Sequence, residues 1–168
     1  MIHSEGELLH ALTIIAPKIL IYMMTFLTLG IFWVGQQTQL NFIERSHRSL
    51  TWIHLAFLFG VTLTPFSTML LEDFANFRVA LLVYWFNIFL LGMTLFLSWE
   101  CAEQLHLTKL DMPAEVPHGI RGRILIAQTL YAFGALLCLI STKFSVAFIV
   151  IVQLYYAIAP RWPWSPRE

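Results

Sequence analysis

An all-α membrane bundle is predicted by three observations. Hydrophobic residues make up 58% of the 168 residues and charged residues only 12%, well away from the composition of an average soluble domain. The few charges are clustered: Glu44, Arg45 and Arg48 are the only ones between Lys18 and Glu72. Uncharged runs cover residues 19–43, 49–71, 79–99, 124–142 and 144–160, each about long enough to cross hydrocarbon as a helix. Ten basic residues balance ten acidic ones, so charge points to neither nucleic acid nor a strongly acidic substrate. The partner implied is the lipid bilayer, and the place a cell membrane crossed several times.

The five runs predict spans over about 16–37, 49–71, 79–99, 124–142 and 144–160, forming one domain over residues 1–168. Pro17 suits the start of the first helix, and residues 38–48 make the charged turn of a hairpin between the first two spans. Within residues 1–7 there are two acids and no base, unlike a cleaved leader. Pro65, inside the second span, is expected to kink it or end its regular part, with Thr62, Thr64 and Thr68 near enough to take up the freed carbonyls. The polar linker 100–123 faces the cytoplasm. Its first part, ECAEQLHLTKL, is read as carrying the third helix onward until Pro113 and Pro117 mark a loop. The last run is short, but Lys143 can snorkel and Trp162 and Trp164 can anchor its far end.

The runs carry no Asp, Glu, Lys or Arg, which removes the usual carriers of proton relays and ion-coupled transport. Enzyme chemistry is disfavoured for the same reason, since the loops offer only scattered ionisable groups and no catalytic constellation. Cys101 and Cys138 show no C-x-x-C spacing or nearby histidine pair, so they read as small apolar fillers rather than metal or redox ligands. No cofactor and no resident metal are expected. His54, Asn87, Gln128 and Gln153 are the polar side chains deepest in the runs. Each could line a pore, but a hydrogen bond to a neighbouring helix is the commoner role of a lone polar group in a membrane bundle. Thr25 and Thr28 share one face of the first span, as Thr64 and Thr68 do in the second, a spacing that more often serves helix packing than ion coordination. His3, His10, His47, His106 and His118 fall at termini, span ends or loops.

Trp33 with the adjacent pair Gln36 and Gln37, then IERSHRSLTWIHLAFLF and TPFSTMLL, resembles helices two and three of the transmembrane protein 175 type potassium channels, bacterial branch. The family pattern is a Trp, a His pair, a basic turn, a Trp-x-Asn-Leu segment and a Pro-Phe-x-Thr end. Gln36 and Gln37 stand where the family has histidines, and His54 where it has Asn, so polar character is kept at all three. The resemblance implies a homotetramer, passive potassium flux through a central pore, and a hydrophobic constriction that gates by dewetting. It implies that Trp33, Gln36, Gln37, His54 and Pro65 support the pore helix, with potassium as the permeant ion and no cofactor. Family members have six spans, the first carrying F-S-D-G and the constriction. This sequence contains no F-S-D-G, and five spans are what remains after losing that helix. The constriction is therefore left unassigned, with Thr25, Thr28 and Phe32 as a substitute lining. The alternative is a non-conducting scaffold or modulatory subunit that keeps the packing motif without the pore helix.

Orientation follows from the basic residues, which are retained on the cytoplasmic side. An outside N-terminus puts Arg45, Arg48, Lys109, Arg121, Arg123, Arg161 and Arg167 inside and Lys18, Arg78 and Lys143 outside. The same choice gathers Trp33, Trp52, Trp99, Trp162 and Trp164 near the cytoplasmic interface and leaves Trp85 toward the other face, as an aromatic belt requires. In intact cells, single cysteines at Ser4 or Asn76 should react with an impermeant thiol reagent and one at Ser46 should not. Labelling confined to Ser46 would mean that the topology is inverted.

Overall fold

The computed structural model describes residues 5–74 and 76–158. Five helices follow one another: α1 Glu5–Leu40, α2 Arg48–Asp73, α3 Arg78–Gln104, α4 Glu115–Leu136 and α5 Thr142–Ile158, with a 3-10 turn Leu137–Leu139 between the last two. The all-α expectation holds, because a helix satisfies its own backbone polar groups where no water can. Three of the helical segments, Arg48–Asp73, Arg78–Gln104 and Glu115–Leu139, are long and apolar enough to cross a membrane by length and composition, and Thr142–Ile158 is a shorter apolar helix. The first expected span lies within α1, whose 36 residues reach about 54 Å at the helical rise, well beyond a hydrocarbon core. Trp162, Trp164, Arg161 and Arg167 lie outside the described residues.

Two local expectations are corrected, and a third, at Pro65, is corrected as to the helix ending there and the hydroxyls taking up the freed carbonyl. Helix α2 continues through Pro65 without ending there. The hydroxyls around the proline bond other carbonyls than that of Val61, which the missing N–H frees: Thr62 donates to Phe59 O, Thr64 to Gly60 O and Thr68 to Thr64 O. Pro117 is not in a loop but in the first turn of α4, which starts at Glu115. The first N–H groups of a helix have no intrahelical acceptor, so a proline there sacrifices nothing. Helix α3 stops at Gln104, ahead of both prolines.

That stop has its own cause. His106 takes φ 52°, the one positive-φ non-glycine among the described residues, and the chain reverses there. His106 N donates to Glu103 O at 3.0 Å and Leu107 N to Ala102 O at 2.8 Å, the paired bonds of a Schellman cap. Its apolar seal is the cluster of Leu50, Ala102 and Leu107, with Ile43 and Cys101 against it. The loop then locks onto the turn between α1 and α2. Ile43 and Thr108 form an antiparallel bridge, Glu44 N donates to Leu107 O at 2.9 Å, and Lys109 N donates to Phe42 O at 2.9 Å. Helix α2 starts beside this tie because His47 Nδ1 accepts from Ser49 N at 3.2 Å, covering an orphan donor of the first turn.

Helix α3 lies at the centre. Its buried face, including Leu81, Tyr84, Ile88, Leu91 and Leu95, forms the core with Phe32 of α1, Phe57 of α2, Tyr131 of α4 and Ile149 of α5. Close approach is made possible by small residues, as membrane packing favours. A Cβ at Gly60 would fall 2.9 Å from Leu91 Cδ2, one at Gly92 would fall 1.6 Å from Gln128 Nε2, and one at Gly134 would fall 2.9 Å from Ile149 Cγ1. Large apolar side chains elsewhere, Phe26, Phe59, Phe66 and Ile151 among them, are exposed on the outside of the chain.

The His106 cap yields a prediction. A non-glycine residue in the left-handed region is strained by about 1–2 kcal/mol, against a chain-entropy cost of about 0.5–1 kcal/mol for glycine. His106→Gly should therefore raise stability by roughly 0.5 kcal/mol, read as a higher thermal midpoint of the purified protein in detergent. A lower midpoint would show that the imidazole makes a contact worth more than the strain.

Candidate functional site

With no carboxylate or ammonium group in the uncharged runs, the polar groups of the bundle interior are the only ones available for work there, and they converge on α3. From α1, Gln39 Nε2 donates to Leu95 O at 3.0 Å and Thr28 Oγ1 lies 3.3 Å from Tyr84 Oη. From α2, His54 Nε2 is 2.9 Å from Ser98 Oγ. Asn87 on α3 sits against Thr64 Oγ1 at 3.0 Å and Ser67 Oγ at 3.2 Å. With its carbonyl oxygen turned to those hydroxyls, its nitrogen donates to Gly60 O at 3.0 Å. From α4, Gln128 Nε2 reaches Ile88 O at 3.4 Å, and from α5, Gln153 Nε2 donates to Tyr84 Oη at 2.7 Å.

The commoner role weighed for His54, Asn87, Gln128 and Gln153 is thus the one each plays: all four bridge helices. Tyr84, Gln39, Ser98 and Ser67, their partners or counterparts, were not singled out by sequence. Tyr84 sits in the aromatic run Tyr84-Trp85-Phe86 and reads there as bulk, and Gln39 reads as part of the hairpin turn.

The motif positions separate into two sets. Gln36 is buried while Trp33 and Gln37 are exposed on α1, His54 is half-buried on α2, and Pro65 is exposed on the outside of α2. Thr25, Thr28 and Phe32 are all buried inside the bundle, with Phe32 in the main core. They therefore lie on the packed face of α1, and lining a pore would require that face to leave the bundle. Cys138 is buried in the core and Cys101 packs beside the smaller cluster.

One charged contact ties the end of α3 to the start of α4. The Arg121 guanidinium donates through Nε to Glu100 and through one terminal nitrogen to Glu103, holding two carboxylates on adjacent turns. The bond to Glu100, ahead of the attraction of Glu103, pushes the guanidinium pKa further above its usual value. The group is a permanent cation and the clasp does not switch with physiological pH.

Two comparisons with known proteins bear on this arrangement. A family model described as the endosomal/lysosomal potassium channel TMEM175 matches residues 2–65, which takes in α1, the locked turn and α2 as far as Pro65. A Streptomyces collinus protein named as a potassium channel is 28% identical over 161 residues, covering 91% of this chain and 77% of the relative. Both descriptions are of a channel and neither is of an enzyme class. Together with the apolar helices they support a multi-pass membrane protein with a role in potassium transport. The α1–α2 hairpin is thus similar to the TMEM175 potassium channel family, and most of the chain is similar to a protein named as a potassium channel.

Proposed function

We propose that this protein is a subunit of a homotetrameric potassium channel, passing ions down their gradient through a central pore closed by a hydrophobic constriction. The observation that carries the reading is the family match over the α1–α2 hairpin, supported by the relative named as a potassium channel. The charge-free runs favour passive flux over proton-coupled transport, which needs ionisable groups at membrane depth. The arrangement of α1 fits a subunit that meets neighbours, because its inner face is packed while Trp33 and Gln37 face outward. In this reading Trp33, Gln37 and Pro65 act at the contact with the pore helix, and Gln36 and His54 hold that surface from within.

The test is reconstitution in liposomes, with and without an added F-S-D-G helix before Met1, together with cross-linking in the membrane. Protein-dependent potassium flux that exceeds sodium flux in at least one form, with cross-linked species up to the tetramer, is the expected outcome. Neither form conducting would overturn the channel reading and favour a scaffold or modulatory subunit.

A further inference from the structure

We propose that the locked turn between α1 and α2 is a docking surface for anionic lipid headgroups, presented by Arg45, Arg48 and Lys109 beside a membrane edge marked by Trp52. The three cations come from two loops that backbone bonds hold together. Arg45 N donates to Leu107 O at 3.3 Å and Lys109 N to Phe42 O at 2.9 Å, with the Ile43–Thr108 bridge between them. Arg48 opens α2 three residues after Arg45. All three residues are exposed. The ion pairs among the described residues are those of Arg121 with Glu100 and Glu103, so no carboxylate among them takes up the charge of this patch. Glu44 and Asp111 flank it and are exposed as well, and three cations against two carboxylates leave one positive charge in excess.

The face of α2 below the patch shows which kind of anion it fits. Arg48, Trp52, Leu55 and Phe59 recur at helical spacing and are all exposed, Trp52 by 62%. Within about three turns the face passes from a cation through an indole to apolar side chains, the order that a bilayer boundary imposes. Arg48 is thereby set about 6 Å along the axis from Trp52, on the water side, where lipid phosphates lie. Leu110, next to Lys109, is 99% exposed, and an apolar loop tip among cations suits the boundary between headgroups and acyl chains better than open water. The two guanidinium groups can each grip a phosphate through paired N–H donors. An acidic protein would answer the cations but leave the graded face of α2 unmatched. The inference does not depend on whether the protein conducts.

Quenching of tryptophan fluorescence by brominated lipids tests it on the intact protein in phosphatidylcholine vesicles. At equal mole fraction, brominated phosphatidylglycerol should quench more than brominated phosphatidylcholine, because it gathers beside Trp52. Arg45→Gln, Arg48→Gln and Lys109→Gln together should lower that preference by about fivefold or more, the worth of one basic residue near an anionic surface, and high salt should act in the same direction. Arg78→Gln with Lys143→Gln, at the opposite end of the bundle, should leave it unchanged. Unaltered quenching by brominated phosphatidylcholine in each variant reports an intact fold. Equal quenching by the two lipids in the unaltered protein, a preference that survives the triple substitution, or binding of a polyglutamate peptide with no lipid preference would each overturn the proposal.

Discussion

Hydrocarbon is as apolar as leucine, so helices in a bilayer gain little from hiding apolar surface against one another, and something else must select one bundle from many. Hydrogen bonds to α3 do so here. Every other helix reaches it: α1 through Gln39 and Thr28, α2 through His54 and the Asn87 cluster, α4 through Gln128, and α5 through Gln153. Each such bond is worth only about 0.6 kcal/mol in a membrane, too little for any one to hold the fold. Their effect is on register, because sliding a helix by one turn strands its amide in an apolar environment.

The contacts fall at different levels along α3. Tyr84 sits at one level, Asn87 and Ile88 at the next, Leu95 and Ser98 further on, and Glu100 and Glu103 at the end, where Arg121 clasps them. Small residues let the backbones come near enough for these reaches. Gln128 lies over Gly92, where a side chain would occupy the same space, and Ser145 of α5 donates to Gly134 O of α4. The packing and the polar pattern are therefore one device: a glycine on one helix faces the polar side chain of another.

Much of this was legible in the sequence. Charge-free runs set off by sparse charged segments are enough to predict the helices, because length and the absence of charge decide what can lie in hydrocarbon. His54, Asn87, Gln128 and Gln153 stand out as polar residues in apolar surroundings, and each turns out to bridge helices. What was hidden follows from the same physics. Tyr84 is the hub, yet a phenol among aromatics carries no sign of its hydroxyl's use. The end of α3 is not marked in the sequence, because prolines are visible stop signals, whereas a histidine in the left-handed region ends a helix with no glycine to announce it. Pro117 misleads in the opposite sense, since a proline near a helix start is permitted by the same missing hydrogen bond that forbids it further in.

The threonine stripe of α1 shows how a face is assigned only by its partners. Thr25, Thr28 and Phe32 repeat at helical spacing, which permits either an open lining or a packed seam, and sequence cannot separate the two. Tyr84 separates them: with its hydroxyl at Thr28, that face is turned into the bundle, and the same rotation carries Trp33 and Gln37 outward. An exposed glutamine one turn after an exposed tryptophan is costly beside lipid, since an amide there lacks the partners that water would supply. The outward face of α1 therefore needs a polar neighbour near Gln37, either at the water interface or on another protein surface. Helix length allows the first option, because Gln37 lies only one turn before the helix ends at Leu40. An interfacial glutamine can thus serve both ends at once, wetted on one side and free to bond an adjoining chain on the other.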